Sequence, residues 1–445
     1  MRGALRHPAR IVPLAFLGAV AVGTVLMMLP ASRAGSGPGA PFVTALFTAT
    51  SSVCVTGLAV VDTPSYWSGF GQVMITVLCQ IGGFGIMAMA TLLALLVSQR
   101  LGLRSRLMAQ AEDASLQLGD VRRVLGRIAL TMLVFEGSIA IIVGGRFWLG
   151  YDYPFGKAVW YGVFHAVQAF NNAGFALFSD SLMGFVNDPW ICVPLTLGVI
   201  AGSIGFPVLF ELAREYRTPD RWSTHTRLTV FGSIVLLVFG LVTFLVVEWD
   251  NPQTLGPLGV GTKVMTAFFQ DAMTRSGGFN TVNVGDLRPE TLTISTGLMF
   301  IGGGSASTAG GIKLTTFFLL AFVILAELRG EPDVTIGRRR IAESTQRQAM
   351  TVALLGVALV SGGTLGLIEA TDGVDLQAAL FEATSAFATV GLSTGITPTL
   401  PDPAQMILVL LMFVGRVGTI AVGSAIALNT RRRLYRYAEE RPIVG

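Results

Sequence analysis

Long apolar runs alternate with basic clusters along this chain, and the alternation has a period. Apolar runs cover residues 11–29 and 70–97, then 128–147 and 191–212, then 228–247 and 292–328, then 349–368 and 405–428. Glycines interrupt the run at 292–328. Each run can cross a hydrocarbon core as a helix, which takes about 20 residues. Between the two members of each pair lies a shorter apolar segment, at 42–53, 159–170, 264–274 and 376–387. These are too short to span and have the length of re-entrant helices. The pattern predicts an all-α membrane protein of four tandem helix–pore loop–helix (M1-P-M2) repeats, with eight transmembrane helices. The expected divisions are an N-terminus (1–10), repeat 1 (11–97), a loop (98–127), repeat 2 (128–212) and a second loop (213–227). Repeat 3 (228–328) follows, its second helix broken, then a third loop (329–348), repeat 4 (349–428) and a tail (429–445).

Charge gives this pattern a direction. Bases gather at the N-terminus (Arg2, Arg6, Arg10), within 100–127, within 214–227, within 329–347 (with Arg338, Arg339 and Arg340), and in the tail (Arg431, Arg432, Arg433, Arg436, Arg441). Acidic residues with few bases fill the segments between, among them Asp62, Asp152, Asp188, Glu248, Asp286 and Asp375. The bias of Lys and Arg toward cytoplasmic loops puts all five clusters, and both termini, in the cytoplasm. An even number of crossings then joins successive clusters. The first apolar run follows a basic start, as in a secretory signal, but its length and the repeat make it the first membrane helix.

Composition agrees. The chain is 52% hydrophobic and 13% charged, against about a quarter charged for a soluble domain. The three cysteines (Cys54, Cys79, Cys192) lie in apolar stretches, and the three histidines (His7, His165, His225) are scattered. Neither set has metal-site or disulfide spacing.

The short segments carry the chemistry. Phe47, Phe164, Phe268 and Phe381 are each followed ten residues later by a glycine: Gly57, Gly174, Gly278 and Gly391. A bulky apolar residue comes next (Leu58, Phe175, Phe279, Leu392), and the second long run of each pair has its own glycine cluster about 25 residues further on. Four such coincidences in register are internal repetition. Four parallel copies suggest pseudo-fourfold symmetry about a pore. Irregular backbone at membrane depth is tolerated where it lines a water-filled cavity. There backbone carbonyls can replace the hydration shell of a cation, and glycine supplies the dihedrals that turn them inward. The candidate lining residues are Val55, Thr56 and Gly57; Asn172, Ala173 and Gly174; Ser276, Gly277 and Gly278; and Thr389, Val390 and Gly391, the last of which resembles the threonine-valine-glycine of potassium-channel filters and so implies potassium held at these carbonyls.

These stretches carry a resemblance. Ser52-Val53-Cys54-Val55-Thr56-Gly57-Leu58, Phe170-Asn171-Asn172-Ala173-Gly174-Phe175, Thr274-Arg275-Ser276-Gly277-Gly278-Phe279-Asn280-Thr281 and Phe387-Ala388-Thr389-Val390-Gly391-Leu392-Ser393-Thr394-Gly395 resemble the TrkH/KtrB family of bacterial potassium transporters. The likeness covers nearly the whole chain and leans to KtrB, because the first repeat starts at once. It implies one pore per subunit, a homodimer, and a cytosolic nucleotide-binding regulatory ring of the KtrA or TrkA type. It implies no cofactor in this chain, which lacks a convincing nucleotide site.

Three further features gain meaning beside the resemblance. Gly302, Gly303, Gly304, Ser305, Ala306, Ser307, Thr308, Ala309, Gly310 and Gly311 interrupt the third repeat's second helix, with Lys313 just after. The stretch fails phosphate-loop spacing, and the family has an intramembrane gate loop here. Arg416 lies mid-helix between Gly415 and Gly418, where charge is costly and functional. It can anchor the glycine loop's carbonyls, and in the family it is an electrostatic barrier below the filter. Arg275 stands four residues after Asp271, which permits an ion pair. Glu382 offers a second partner, so the three form an expected brace for the filter. Glu136 also lies in a span and acquires no role from the sequence.

The expected function is gated potassium uptake across a bacterial plasma membrane, with sodium conduction or stimulation left open. A sodium-coupled secondary transporter of another solute is the rival, but inverted repeats disagree with copies that all run parallel. An intramembrane enzyme would need a nucleophile–base pair or metal ligands at depth, and the sequence offers none.

Overall fold

The computed structural model describes residues 8–105, 118–337 and 339–418. The tail at 429–445 with its arginines, the N-terminal Arg2 and Arg6, Arg338, and the last part of the run at 405–428 lie outside these. The described chain is mostly helical and falls into four successive units, each with a long first helix, a short helix and a second helical segment, the last of these broken in the second and third units.

The first unit holds α1 (Pro8–Met27), α2 (Phe42–Val53), the single turn α3 (Thr63–Tyr66) and α4 (Gly69–Ser105). The second holds α5 (Leu118–Gly150), α6 (Phe155–Asn171), α7 (Pro189–Ile204) and α8 (Phe206–Glu215). The third holds α9 (Thr224–Glu248), α10 (Val260–Thr274), α11 (Pro289–Phe300) and α12 (Leu314–Leu328). A small hairpin follows, β1 (Thr335–Ile336) and β2 (Arg339–Arg340), pairing Thr335 with Arg340 and Ile336 with Arg339. The fourth holds α13 (Glu343–Ala370), α14 (Leu376–Phe387) and α15 (Asp402–Phe413), the last continuing into a π-helical turn at Val414–Gly418.

Local chemistry sets several helix starts. Asp188 caps α7, accepting from Trp190 N at 3.0 Å ahead of Pro189 at the first position. Asp375 caps α14 through Gln377 N at 2.9 Å, and Ser223 caps α9 through Thr226 N at 3.2 Å. Each satisfies an orphan amide of the first turn.

Among the described residues, four helices are long and apolar enough to cross a membrane: those at Gly69–Met89, Arg122–Gly150, Thr224–Glu248 and Glu343–Ala370. The apolar run at 191–212, expected as one span, is instead two helices meeting at 103°. The break falls at Gly205, whose φ of +99° no side chain readily adopts. Pro207 follows at the start of α8, and the glycine loop of the third unit fills the space beside Gly205.

The molecule exposes apolar side chains on its outside and buries a group of polar ones within its apolar core. Ile141, Leu149, Val246 and Leu328 are more than 70% exposed, whereas Thr50, Ser51, Ser52, Thr56, Asn171, Asn172, Ser276 and Thr389 are buried. Exposed apolar area this continuous around spanning helices is what lipid covers.

The units close on one another. The short helix of each packs against the second long helix of the preceding one: α6 on α4, α10 on α7, α14 on α11, and α2 on α15. This is a ring in chain order. Buried clusters cross the joins, one running from Phe147 through Phe269 to Phe279, another from Phe47 through Phe387 to Leu411.

Candidate functional site

The short helices α2, α6, α10 and α14 end at the glycine stretches, and the four stretches share one backbone design. The glycines take positive φ: +90° at Gly57, +83° at Gly174, +73° at Gly278 and +94° at Gly391. The residue two before each is also left-handed, though none is glycine: Val55 at +56°, Asn172 at +63°, Ser276 at +92° and Thr389 at +48°. Alternation of left- and right-handed residues turns successive carbonyls to the same side. Strained dihedrals of this kind persist only where surroundings over-determine them.

Hydrogen bonds supply that constraint. Thr56 N donates to Ser51 O at 2.7 Å, Ala173 N to Gln168 O at 2.8 Å, Gly277 N to Met273 O at 2.8 Å, and Val390 N to Ser385 O at 2.9 Å. Units 1 and 4 add a hydroxyl: Gly57 N donates to Ser51 Oγ and Gly391 N to Ser385 Oγ, each at 3.1 Å. Neighbouring stretches are tied directly. Asn172 Nδ2 donates to Ser276 O, and Ser276 Oγ donates to Thr389 O at 3.2 Å.

The four stretches meet around one point. A Cβ added to Gly57 would overlap the Ala173 carbonyl, one on Gly174 would overlap Gly278, and one on Gly391 would overlap the Thr56 carbonyl. At Gly278 the added carbon would lie 2.9 Å from the Val390 carbonyl oxygen. The order of approach is 1–2–3–4–1. A cavity of about 410 Å³ opens on one side, lined by all four glycines together with Asp62, Ser179 and Ser393. The buried hydroxyls of Thr56 and Thr389 find no hydrogen-bond partner in the protein.

On the other side lies the interruption at 301–313. Gly302 N donates to Ile312 O at 2.9 Å and Leu314 N to Gly303 O at 3.0 Å, closing the loop on itself. Gly304 N donates to Ser203 O at 2.8 Å and Thr308 N to Gly202 O at 3.1 Å, tying it to the end of α7. Thr308 Oγ1 donates to Asn172 Oδ1 at 2.7 Å, a direct link to the second glycine stretch. A Cβ on Gly310 would run into Ala388 and Thr389. Gly303, Ser307, Ala309 and Gly311 are buried and Ser305 and Ala306 are half-buried. Lys313 Nζ donates to Ala309 O at 2.6 Å. Arg416, 2% exposed, reaches in from the π-helical turn and donates through Nη1 to Thr308 O, while its Nε and Nη2 find no partner.

The glycine clusters of the second helices prove to be contact points. Added Cβ atoms on Gly82, Gly202 and Gly415 would overlap the carbonyls of Val53, Phe170 and Phe387. Each carbonyl closes the short helix of the same unit. In the third unit the corresponding place is taken by the loop, where Gly302 meets Gly310.

The expected brace is wired differently. Asp271 and Arg275 make no ion pair: neither carboxylate oxygen of Asp271 has a hydrogen-bond partner, and Arg275 Nη1 donates to Ser233 O at 3.2 Å. The carboxylate is instead seated against Gly240 of α9. Glu382 does not partner Arg275 either. It accepts from Thr394 N at 2.9 Å, Ser393 Oγ at 2.6 Å and Thr397 Oγ1 at 2.8 Å, all in the stretch after Gly391. Spacing permitted the ion pair, but a guanidinium finds an acceptor on a neighbouring helix as readily as on its own.

Two clusters were not visible in the sequence. Glu136 accepts from Gln80 Nε2 at 3.1 Å and Asn171 Nδ2 at 3.0 Å, joining α4, α5 and α6 beside Asn172. Glu248 accepts from Asn251 Nδ2, Thr254 Oγ1, Arg288 N and Thr291 Oγ1. Both partners of Glu136 and two of the four partners of Glu248 are distant in sequence, and no spacing rule finds those.

Comparison with known proteins adds three results. The model of the TrkH family, described as cation transport protein, matches residues 12–430. The Ktr system potassium uptake protein B of Bacillus subtilis (strain 168) is 36% identical, over 98% of this chain and 97% of that one, and its namesake from Vibrio alginolyticus is 35% identical over 98% and 94%. The potassium/sodium uptake protein NtpJ of Enterococcus hirae is 30% identical over 98% and 97%. Among solved structures, the potassium transporter TrkH from Vibrio parahaemolyticus superposes with a TM-score of 0.68, over 94% of this chain and 85% of that one, at 19% identity.

Proposed function

This chain belongs to the TrkH family of cation transport proteins, and from that premise we propose that it is the pore-forming subunit of a gated bacterial potassium uptake system. The observation that carries the reading is the convergence, in ring order, of four glycines whose positive φ angles and missing side chains bring four backbones to one point. Carbonyls arranged so can replace water around a desolvated cation. The four short helices end there, and the negative ends of their dipoles favour positive charge. The relatives named for potassium uptake support potassium as the cargo, and the one named for potassium and sodium keeps sodium as a second ion.

In this reading the pore runs from the 410 Å³ vestibule through the ring and meets the loop at 301–313. The loop obstructs the path and must move for conduction. Small residues suit such a gate, because little packing holds them in one state. Arg416 both pins the loop through Thr308 and sets a positive charge in the path. All eight long segments cross the membrane, with both termini in the cytoplasm of a bacterial cell. Two copies form a homodimer, and a cytosolic nucleotide-binding ring of the KtrA or TrkA type docks on the cytoplasmic loops and controls the gate.

The test is potassium and sodium uptake in cells lacking their own potassium uptake systems, with and without a KtrA-type partner. Wild type is expected to restore growth at low potassium. Continued silence beside the partner would sink the reading.

A further inference from the structure

In three of the four units, the backbone amide three residues past the filter glycine is held by a side chain of the short helix. Thr394 N donates to Glu382 Oε1 at 2.9 Å, Thr281 N to Gln270 Oε1 at 3.1 Å, and Leu177 N to His165 Nε2 at 3.3 Å. All three acceptors are buried. Glu382 and His165 stand at the same register, directly after Phe381 and Phe164. A carboxylate and an amide oxygen accept by nature. An imidazole nitrogen accepts only when it carries no proton, so the second unit depends on a tautomer.

The surroundings of His165 decide which one. Nδ1 lies 2.7 Å from the carbonyl oxygen of Tyr161, which can only accept. Nδ1 therefore carries the hydrogen, and Nε2 is left bare for Leu177. The ring is fully buried among aromatic side chains, stacked on Phe178 at 5.3 Å and close to Phe147, Phe164 and Phe279. Water has no room to replace the acceptor, and a buried amide without one is costly. Phe279 directly follows Gly278, so the same imidazole touches the third stretch as well as the second.

We propose that His165 is a positioning residue of the conduction site: as the Nδ1–H tautomer it offers Nε2 as the fixed acceptor that sets where the second glycine stretch leaves the ring. The inference rests on the pore reading above. Glutamine can reproduce both bonds, its amide donating to Tyr161 O and its oxygen accepting from Leu177 N. Methionine fills similar volume and offers no comparable acceptor.

Two measurements test it. The first is the potassium-to-sodium uptake ratio of His165→Gln and His165→Met, with each variant's yield as folded protein checked in detergent. His165→Met is expected to lose about tenfold in the ratio, the effect of one misplaced hydrogen bond of roughly 1.4 kcal/mol, while His165→Gln stays near wild type. Wild-type ratios in both variants, or equal loss in both, would overturn the proposal. The second uses the unaltered protein in nanodiscs with ¹⁵N-labelled histidine, His7 and His225 being assigned by substitution. A neutral ring protonated on Nδ1 is expected. A proton on Nε2 would overturn the proposal whether or not the variants fold, and without touching the pore reading. Failure of wild type to take up potassium beside its partner would instead remove the pore reading.

Discussion

The four converging glycines differ from the other residues of the ring in one respect: a side chain there has nowhere to go. At Gly391 the φ of +94° and the Thr56 carbonyl both oppose a Cβ. Gly391→Ser is expected to fold, because the strain is local, but to lose about tenfold in potassium preference over sodium, read as relative uptake rates. That corresponds to about 1.4 kcal/mol of discrimination. Arg416 works in the opposite sense. In the proposed pore its charge and its bond to Thr308 oppose conduction, so Arg416→Ala is expected to raise maximal uptake on the order of tenfold with little change in apparent affinity. Unchanged or slower uptake would show that the guanidinium does not oppose conduction. Glu248 is structural by contrast. Its carboxylate accepts four hydrogen bonds at 0% exposure. Glu248→Ala strands those donors and is expected to cost about 3 kcal/mol, read as a lower thermal midpoint in detergent, with Glu248→Gln intermediate.

Among elements, the third unit is the one that departs from the pattern. In units 1, 2 and 4 a glycine of the second helix lets that helix lie on the carbonyl ending the short helix. In unit 3 the helix gives way to the loop at 301–313, whose own carbonyls occupy the place. The bend at Gly205 is the counterpart of this departure. Gly304 and Thr308 bond to Ser203 and Gly202, and Phe206 N donates to Ala306 O at 3.4 Å, so α7 ends where the loop needs its backbone. The loop is therefore held by unit 2 on one side and by Arg416 of unit 4 on the other. Deleting residues 304–308 is expected to raise uptake severalfold in cells that lack the regulatory ring, because the obstruction would be gone. A deletion variant that inserts normally and conducts no faster would show that the loop is a packing device.

At the scale of the whole molecule, the ring closes because each short helix packs on the preceding unit, with α2 returning to α15. No unit can form its part of the site alone, since every glycine touches the backbone of a neighbour. Apolar side chains are exposed on the outside, while the interior combines apolar clusters with buried hydroxyls. The orientation proposed from the charge bias is tested by reporter fusions. A periplasm-active phosphatase fused after residue 62, 250 or 375 is expected to be active, and one fused after residue 220 or 333 silent. The reverse pattern would overturn the assignment of the basic loops to the cytoplasm.

Periodicity and charge bias, both local properties, were enough to read from the sequence an all-helical membrane protein, while the family and its ion came from the resemblance carried by the four glycine motifs. Two of the short apolar segments match the helices Phe42–Val53 and Leu376–Phe387 residue for residue, because an apolar run ended by glycine-rich backbone has few other conformations. What pairs with what was settled only by the fold. The left-handed Val55, Asn172, Ser276 and Thr389 carry no compositional mark. Asp271 and Arg275 stand at ion-pair spacing and do not pair, and Glu382 turns to its own unit's outer stretch. The bend at Gly205 depends on a loop a hundred residues away in the chain. His165 looked like one scattered histidine until the carbonyl of Tyr161 and the amide of Leu177 gave each ring nitrogen its role. A hydrogen bond is directional and reaches about 3 Å, so its partner is chosen by the three-dimensional arrangement, which sequence spacing does not record.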